Sequence, residues 1–202
     1  MQIQCAACGA EQKVVNPAAI SVQCPYCDAV LMLVDTNWTD TGQKSRLSQG
    51  FSQLYRGALC TIQQQDIQIV GRVRYSFGRG FWDEWYGLTD TGEGVWITED
   101  NHEFSIQVCV LNADISFNPE TVAVGDEVSV QNRTYRILER GEAVCLGLEG
   151  ELPKGLLPDE QYLYADGSSL DGQYALGIEF DDDEPAIFVG EWIHPKDIKV
   201  HS

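Results

Sequence analysis

Two close pairs of cysteines near the N-terminus constrain the fold of this chain more than any other feature. Two thiolates two residues apart can share one cation, and two such pairs complete a tetrahedral shell of four sulfurs that suits Zn²⁺. The spacing therefore predicts a structural zinc ribbon over residues 1–34, with every ligand position filled by the protein. Fifteen residues separate the two C-x2-C pairs, which are Cys5, Cys8, Cys24 and Cys27.

The residue after each pair supports this prediction. Gly9 follows the first pair and Asp28 follows the second, where a left-handed backbone conformation is needed. Glycine adopts that conformation freely, and Asp tolerates it better than most residues. Because the module is too small to fold on its few aliphatic side chains, we expect it to depend on its metal.

The second pair also permits a redox interpretation, because residues 24–27 have the CPYC letters of a glutaredoxin active site. In that site the first cysteine lies at a helix N-terminus, which lowers its pKa. Residues 28–34 are typical of a strand instead, and two pairs at ribbon spacing favour metal binding. Three further cysteines are scattered singly and are expected to be buried apolar residues in a reducing compartment. They are Cys60, Cys109 and Cys145.

The acidic composition restricts the classes of partner. The chain has 13 Lys and Arg against 31 Asp and Glu, a formal net charge of −18. Such a surface repels nucleic-acid phosphates and anionic lipids, and it attracts basic proteins, polyamines or divalent cations. No charged and apolar leader precedes Cys5, and the longest aliphatic run, residues 29–34, is too short to span a bilayer. We therefore expect a cytoplasmic protein without membrane insertion, for which nucleic acid is a disfavoured partner.

The chain after the ribbon is polar and rich in turn residues before the pattern changes. Residues 35–53 are predicted to be a linker. Within it, Leu47, Phe51 and Leu54 recur at i, i+4 and i+7, which favours a short amphipathic helix across residues 44–55.

Residues 54–199 are predicted to form an acidic, antiparallel β domain, since short strands alternate with glycine-rich turns. The pattern restarts near residue 118. The fold class is therefore mainly β: a small zinc ribbon followed by an antiparallel meander domain, with two pseudo-repeated halves like barrels or sandwiches. In the first long strand, Arg72 and Arg74 are expected to point outward, and the alternate residues inward. These inward residues are Ile67, Ile69, Gly71, Val73 and Tyr75.

One strand that combines aromatic and acidic residues is the candidate ligand or partner surface. Carboxylates and aromatic faces together can hold an amine through charge and cation–π contact. The preferred alternative is a half-buried strand with its aromatic side chains inward and its acids outward, paired with Arg72 and Arg74 across a hairpin. The residues are Trp82, Asp83, Glu84, Trp85 and Tyr86.

Three weaker constellations remain. Glu99, Asp100, His102 and Glu103 surround a predicted hairpin tip, where acid–base chemistry or a second metal competes with simple solvation. Residues 181–184 are four acids that favour a solvated turn over a calcium loop. Arginines among aromatic residues resemble, weakly, a face that binds single-stranded nucleic acid; they are Arg72, Arg74 and Arg79.

Eight short motifs occur in order across residues 54–199. They are VGRV at 70–73, WDEWY at 82–86, GVWI at 94–97, GD at 125–126, EGELP at 149–153, YAD at 164–166, IEF at 178–180 and GEWI at 190–193. On these motifs the chain resembles the bacterial domain-of-unknown-function family 4178. The resemblance implies a β-rich cytoplasmic module, with no established activity and no catalytic residues to transfer. The pair Ile97-Thr98 departs from the leucine–acid pair that is commoner in the family.

The residues support three hypotheses of function. The first, which we prefer at this point, is a non-catalytic adaptor or scaffold in which the zinc ribbon and the β domain bind a protein partner. The second is a small-molecule module or enzyme that recognises a cationic amine such as a polyamine. The third is a nucleic-acid-associated ribbon protein. Because no phosphate-binding loop, nucleophile elbow or zinc-protease motif occurs, binding is favoured over catalysis.

Overall fold

Sixteen strands and one 3₁₀ turn make up the regular structure in the computed structural model, which describes residues 1–119, 121–180 and 185–201. The antiparallel, almost all-β architecture predicted from the sequence is confirmed. No helix in these ranges is long and apolar enough to cross a membrane. The acidic run at 181–184, weighed above as a calcium loop, lies outside the described residues.

The N-terminal module consists of a two-stranded hairpin and a three-stranded antiparallel sheet. The hairpin is β1 (Gln2–Gln4) and β2 (Glu11–Lys13); the sheet is β3 (Ser21–Gln23), β4 (Ala29–Val34) and β5 (Asn37–Lys44). The sequence placed residues 37–44 in a linker, but they form β5. A tight turn at Asp35, with φ 55°, folds this polar strand back onto the apolar strand β4.

The remaining strands follow in chain order. They are β6 (Leu59–Ile62), β7 (Gln65–Ser76), β8 (Phe81–Thr89), β9 (Gly94–Asp100), β10 (Glu103–Cys109), β11 (Glu127–Val130), β12 (Arg133–Leu152), β13 (Gln161–Ser169), β14 (Tyr174–Phe180), β15 (Ala186–Ile193) and β16 (Lys199–His201), with the 3₁₀ turn at Pro195–Asp197.

Eight of these strands close into a ring with antiparallel neighbours throughout, in the order β7-β8-β9-β10-β15-β14-β13-β12 and back to β7. The 20-residue strand β12 closes it, since its first half pairs with β13 and its second half, from Val144, pairs with β7. The predicted boundary near residue 118 falls in the connection between β10 and β11. Strands from both sides of that boundary contribute to one barrel.

The barrel wall separates an interior apolar cluster from two outer ones. The interior cluster contains Val73, Tyr75 and rings from β8, β9 and β13. One outer cluster lies beneath β6 and β16, which are not part of the ring, and it contains Ile67 and Ile69. The other outer cluster packs β11 against the wall. The single inward set expected along β7 is therefore wrong, because a bulge between Ile69 and Gly71 exchanges the two faces of the strand.

No helix forms across residues 44–55; residues 45–58 are irregular and run over the outside of the barrel. Phe51 is fully exposed, so the three apolar side chains share no common surface. The backbone and hydroxyls of the segment bond to the barrel instead. The Ser45 hydroxyl donates to the Leu148 carbonyl at 2.6 Å, and the Ser48 carbonyl accepts from Arg72 at 3.4 Å. Hydrogen bonds to the barrel wall therefore determine the conformation of this segment, although its apolar residues have helical spacing.

The ribbon is hydrogen-bonded to the end of β12. Strand β3 pairs with that end in the register Val22 to Glu151 and Ser21 to Leu152. The Glu151 carboxylate also accepts from the backbone N–H groups of Val15 and Asn16, at 2.9 and 2.6 Å. The β3 strand therefore extends the barrel sheet into the N-terminal cysteine module.

Candidate functional site

The four predicted ligand cysteines meet at the tip of the N-terminal module. Their Sγ atoms all lie within 4.8 Å of one another. The Cys5–Cys27 and Cys8–Cys24 sulfurs are each 3.9 Å apart. Four thiols at these distances could hold one metal ion.

Local backbone turns bring each pair together. The Gly9 N–H donates to the Cys5 carbonyl at 2.8 Å, and the Asp28 N–H donates to the Cys24 carbonyl at 3.0 Å. Gly9 and Asp28 have φ values of 77° and 63°, so both adopt the left-handed conformation expected from the sequence. Strand β4 begins at Ala29, so no helix starts at the second pair to lower a thiol pKa as the redox interpretation requires.

The candidate surface on β8 is divided between the two faces of the barrel wall. Trp82, Glu84 and Tyr86 face the interior, where Trp82 and Glu84 line a cavity and Tyr86 joins the apolar cluster. Asp83 and Trp85 face outward. The sequence predicted aromatic side chains inside and acidic side chains outside. The structure instead places members of both groups on each face of the strand.

The outer half of this surface is a buried ion cluster. Asp83 accepts four hydrogen bonds, two from Arg72 at 2.9 Å and two from Arg74 at 2.8 Å. The guanidinium of Arg72 lies 4.7 Å from the Trp85 ring centre, and that of Arg74 lies 4.0 Å from the Phe81 ring centre. The arginines do face outward, but the wall and residues 45–52 bury them. They are therefore not a surface for nucleic acid.

The inner half opens on a cavity of about 200 Å³ inside the barrel. Residues of seven ring strands line it. The rings of Trp82, Trp96, Tyr162 and Tyr164 contribute aromatic surface, and no Lys or Arg occurs among the described lining residues. Six carboxyl groups line the same space: Glu84, Asp100, Glu103, Glu139, Asp166 and Glu179.

Crowding of these acids changes their protonation. Burial, followed by repulsion from Glu84, Glu139 and other neighbouring acids, raises the pKa of Asp166 to about 8. Burial also raises the pKa of Glu84 to about 7, with Glu179 adding to the shift and Lys154 opposing it. The Asp166 carboxyl lines the cavity and is exposed to its open space. The raised pKa values favour the protonated forms of Asp166 and Glu84, and a cation bound beside them would favour the ionised forms.

A lysine ammonium lies against the wall of the cavity. Lys154, on the loop after β12, places its Nζ 2.7 Å from Glu179 Oε1 and 3.8 Å from Glu84 Oε2. The same Nζ lies 5.1 Å from the Trp96 ring centre and 5.5 Å from that of Tyr162. Burial alone would lower the pKa of Lys154, but the neighbouring carboxylates raise it well above its usual range. The neighbouring acidic groups therefore favour the ammonium form of this lysine.

The family model described as Domain of unknown function (DUF4178) matches residues 56–195. The chain belongs to this family. The matched segment of this DUF4178 protein contains all eight ring strands, and the cysteine cluster precedes it. A search of curated proteins found no match. A search of solved structures found none either.

The acids around the β9–β10 hairpin of the DUF4178 domain separate by strand face. Asp100 and Glu103 line the cavity. Glu99 lies on the opposite face and accepts a hydrogen bond from Trp85 Nε1 at 3.0 Å. His102 is exposed at the hairpin tip, with φ 68°. The structure therefore does not gather these residues into a metal or acid–base site around the histidine.

Sequence reasoning did not assign a role to Asp166, Glu179 or Lys154. The first two occur in the quoted YAD and IEF motifs, and Lys154 directly follows EGELP. Each has an ordinary local pattern, and only closure of the barrel brings them together. The sequence feature that could have identified such residues is an acidic residue within an otherwise apolar strand, such as Glu179 between Ile178 and Phe180.

Proposed function

We propose that the DUF4178 domain of this chain is a small-molecule-binding module that takes a cationic amine into its barrel. The observation that supports this most is the cavity of about 200 Å³, lined by six carboxyl groups and several aromatic rings. An eight-stranded barrel is just wide enough inside to hold side chains or one small ligand. Nothing in the lining is suited to an anion.

The chemistry of the lining matches an ammonium group. Carboxylates attract it by charge, and aromatic faces attract it by cation–π contact, worth about 2 kcal/mol in a desolvated site. The Glu139 carboxylate is already oriented by a 2.7 Å hydrogen bond from the Tyr164 hydroxyl. Since the pKa of Asp166 is about 8, an ammonium bound beside it would favour the ionised carboxylate and release a proton.

Calorimetry tests this proposal with putrescine as a diamine and n-butanol as a neutral control. We expect saturable binding of the diamine, with an observed heat that depends on the ionisation enthalpy of the buffer because a proton is released. Asp166→Asn and Glu139→Gln should weaken binding at least tenfold. Glu142→Gln is the matched control, because Glu142 is exposed on the opposite face of the strand that carries Glu139. Equal weakening by all three variants, or no saturable heat, would contradict binding inside the barrel.

We propose Zn²⁺ as the ion of the cysteine cluster. A sulfur tetrahedron with Zn–S bonds of about 2.3 Å has edges of about 3.8 Å. Two of the sulfur–sulfur distances are 3.9 Å, and all lie within 4.8 Å. Four thiolates without a vacant position favour a structural role, and they require a reducing compartment such as the cytoplasm. Metal analysis of purified protein should find one zinc per chain, lost in Cys24→Ser but retained in Cys60→Ser.

The adaptor hypothesis is a second candidate, supported by two exposed aromatic side chains. Tyr26 is 69% exposed at the second cysteine pair, and Phe51 is fully exposed. Single exposed apolar residues are common on protein surfaces, so these two support a partner less strongly than the cavity supports a ligand. Crosslinking in native lysate should give a partner that is lost in both Tyr26→Ser and Phe51→Ser. Identical crosslinks in wild type and variants would reject this surface.

A further inference from the structure

The surroundings of Lys154 form a subsite for an ammonium group. Two carboxylates, Glu84 and Glu179, stand on one side of its Nζ atom. Three aromatic rings lie 5.1–5.5 Å from it, and they belong to Tyr75, Trp96 and Tyr162. These five residues, the ammonium cage, combine the two interactions that recognise a primary amine.

The ammonium cage is continuous with the barrel cavity. Glu84, Glu179, Trp96 and Tyr162 belong to the cage and also line the cavity, while Tyr75 lies behind them. Lys154 itself does not line the cavity, although four of the five cage residues do. Removal of its side chain would therefore leave a vacant cage directly beside the cavity.

The cage offers more hydrogen-bond acceptors than Lys154 uses. An ammonium has three N–H donors. Lys154 Nζ donates to Glu179 at 2.7 Å, but Glu84 Oε2 is 3.8 Å away, beyond a normal hydrogen bond. Burial raises the pKa of the Tyr75 hydroxyl and Lys154 opposes that shift, so the hydroxyl already interacts with the ammonium, although among the described residues no hydrogen bond of normal geometry reaches it. A free ammonium is not held by a tether and can approach these acceptors more closely.

The backbone around Lys154 is held in place by the ribbon. The Ser21 hydroxyl donates to the Lys154 carbonyl at 2.8 Å, and the Ile20 N–H donates to the Leu152 carbonyl at 2.8 Å. The lysine therefore enters the cage from a fixed point outside the ring.

We propose that Lys154 is a tethered occupant of an inner ammonium subsite, and that it determines how many ammonium groups the barrel accepts from a ligand. This inference rests on the proposed binding of amines in the cavity. With Lys154 in the cage, the ligand uses only the outer carboxylates around Asp166 and Glu139. With the lysine side chain removed, the compartment takes one further ammonium group.

Replacement of the side chain by a soluble amine tests the subsite. Lys154→Ala retains Cβ, so n-propylammonium has the three carbons and the nitrogen that the substitution removes. We expect millimolar n-propylammonium to bind Lys154→Ala with one equivalent more than it binds the wild type, and to raise the melting temperature of the variant by several degrees more. Lys196→Ala, which removes an exposed lysine, should behave like the wild type, because only the outer carboxylates are open in both proteins. Equal stabilisation by n-propanol, or no binding to the folded variant, would overturn the proposal.

A second variant covers the case in which Lys154→Ala does not fold. Lys154→Val keeps apolar atoms at the Cγ position and removes Cδ, Cε and the ammonium, so the cage is left vacant. Its affinity for the triamine spermidine, relative to the diamine putrescine, should rise at least tenfold over the wild-type ratio. An unchanged ratio would overturn the role of Lys154.

The two proposals fail in distinguishable ways. If the wild type binds no amine while n-propylammonium rescues Lys154→Ala, the inner subsite stands and the proposed function fails. If the wild type binds putrescine and neither variant gains a subsite, the proposed function stands and the inference fails.

Discussion

The ribbon and the barrel both concentrate acidic groups, and they accommodate them in different ways. The ribbon gathers four thiols within 4.8 Å on two short loops, beside a small apolar cluster that includes Ile3, Val14 and Leu31. The barrel distributes six carboxyl groups over six strands of a closed wall, and protonation and Lys154 limit their repulsion. We therefore expect the ribbon to depend on a bound cation for its folding, and the barrel to fold without one.

Removal of the metal should have the largest effect and tests this comparison directly. We expect a chelator to unfold residues 1–34 while the barrel keeps its structure, because the wall is closed by its own hydrogen bonds. Hydrogen exchange measured by mass spectrometry should show lost protection in β3 and β4, and retained protection in β8 and β9.

Cys60→Ser serves as the control for thiol chemistry outside the cluster, since Cys60 is buried in the outer apolar core. If chelation unfolded β8 and β9 as well, the two modules would be one cooperative unit, and the comparison would not hold.

Loss of Asp83 should be the most harmful single change in the barrel. Asp83→Ala leaves two buried guanidiniums, those of Arg72 and Arg74, without their shared carboxylate. We expect the free energy of unfolding to fall by about 3–5 kcal/mol, the usual cost of breaking a buried ion pair. Urea denaturation measures this change. A loss below about 1 kcal/mol would show that water or Glu149 replaces the aspartate.

The pH dependence of stability should distinguish the barrel from the ribbon. The pKa of Asp166 is raised from 3.8 to about 8, so the folded state holds a proton that the unfolded chain releases. The contribution of Asp166 to the free energy of unfolding is therefore complete below about pH 4 and is lost as the pH rises to about 8. Glu84, raised to about 7, adds to the loss in the same range.

Asp166→Asn removes this titration, so the variant should lose less stability between pH 4 and 8 than the wild type. Thermal unfolding of the zinc-loaded protein at several pH values measures the difference. Asp171→Asn is a control, because Asp171 is exposed and its pKa is lowered by hydrogen bonds from Ser169 and Gln173. An identical pH profile for Asp166→Asn and the wild type would show that Asp166 is ionised in the folded protein.

The smallest effect is expected for a surface ion pair. Arg136 and Glu127 are 2.6 Å apart, but both side chains are about half exposed. Arg136→Gln should therefore change the free energy of unfolding by less than about 1 kcal/mol. A larger loss in urea denaturation would mean that the β11–β12 hairpin depends on this pair.

The accuracy of sequence-based prediction differs between the two modules for a physical reason. The cysteine ligands and the left-handed residues Gly9 and Asp28 depend on neighbours a few residues away, so their spacing was sufficient. The two-residue turn at Gln131 and Asn132, between β11 and β12, is likewise local, and both residues have positive φ. The backbone conformation of a short turn can therefore be predicted from the few residues that form it.

The cavity could not be predicted in this way, because its parts are distant in the chain. The bulge after Ile69 changes which residues of β7 face the interior, and periodicity alone does not show it. Lys154 and Glu84 are 70 positions apart and meet only when β12 pairs with β7. The helix expected across residues 44–55 failed for a related reason, since contacts with the barrel wall determine that segment.

Strand β12 has a consequence for the order in which the protein forms. Its 20 residues pair with four strands, β11, β13, β7 and β3, and the last two precede it by many residues. During synthesis, the earlier strands leave the ribosome with open edges, and these edges stay unpaired until residues 133–152 emerge. Because pairings so distant in sequence form slowly, the closing of this one strand sets the pace of assembly for both modules.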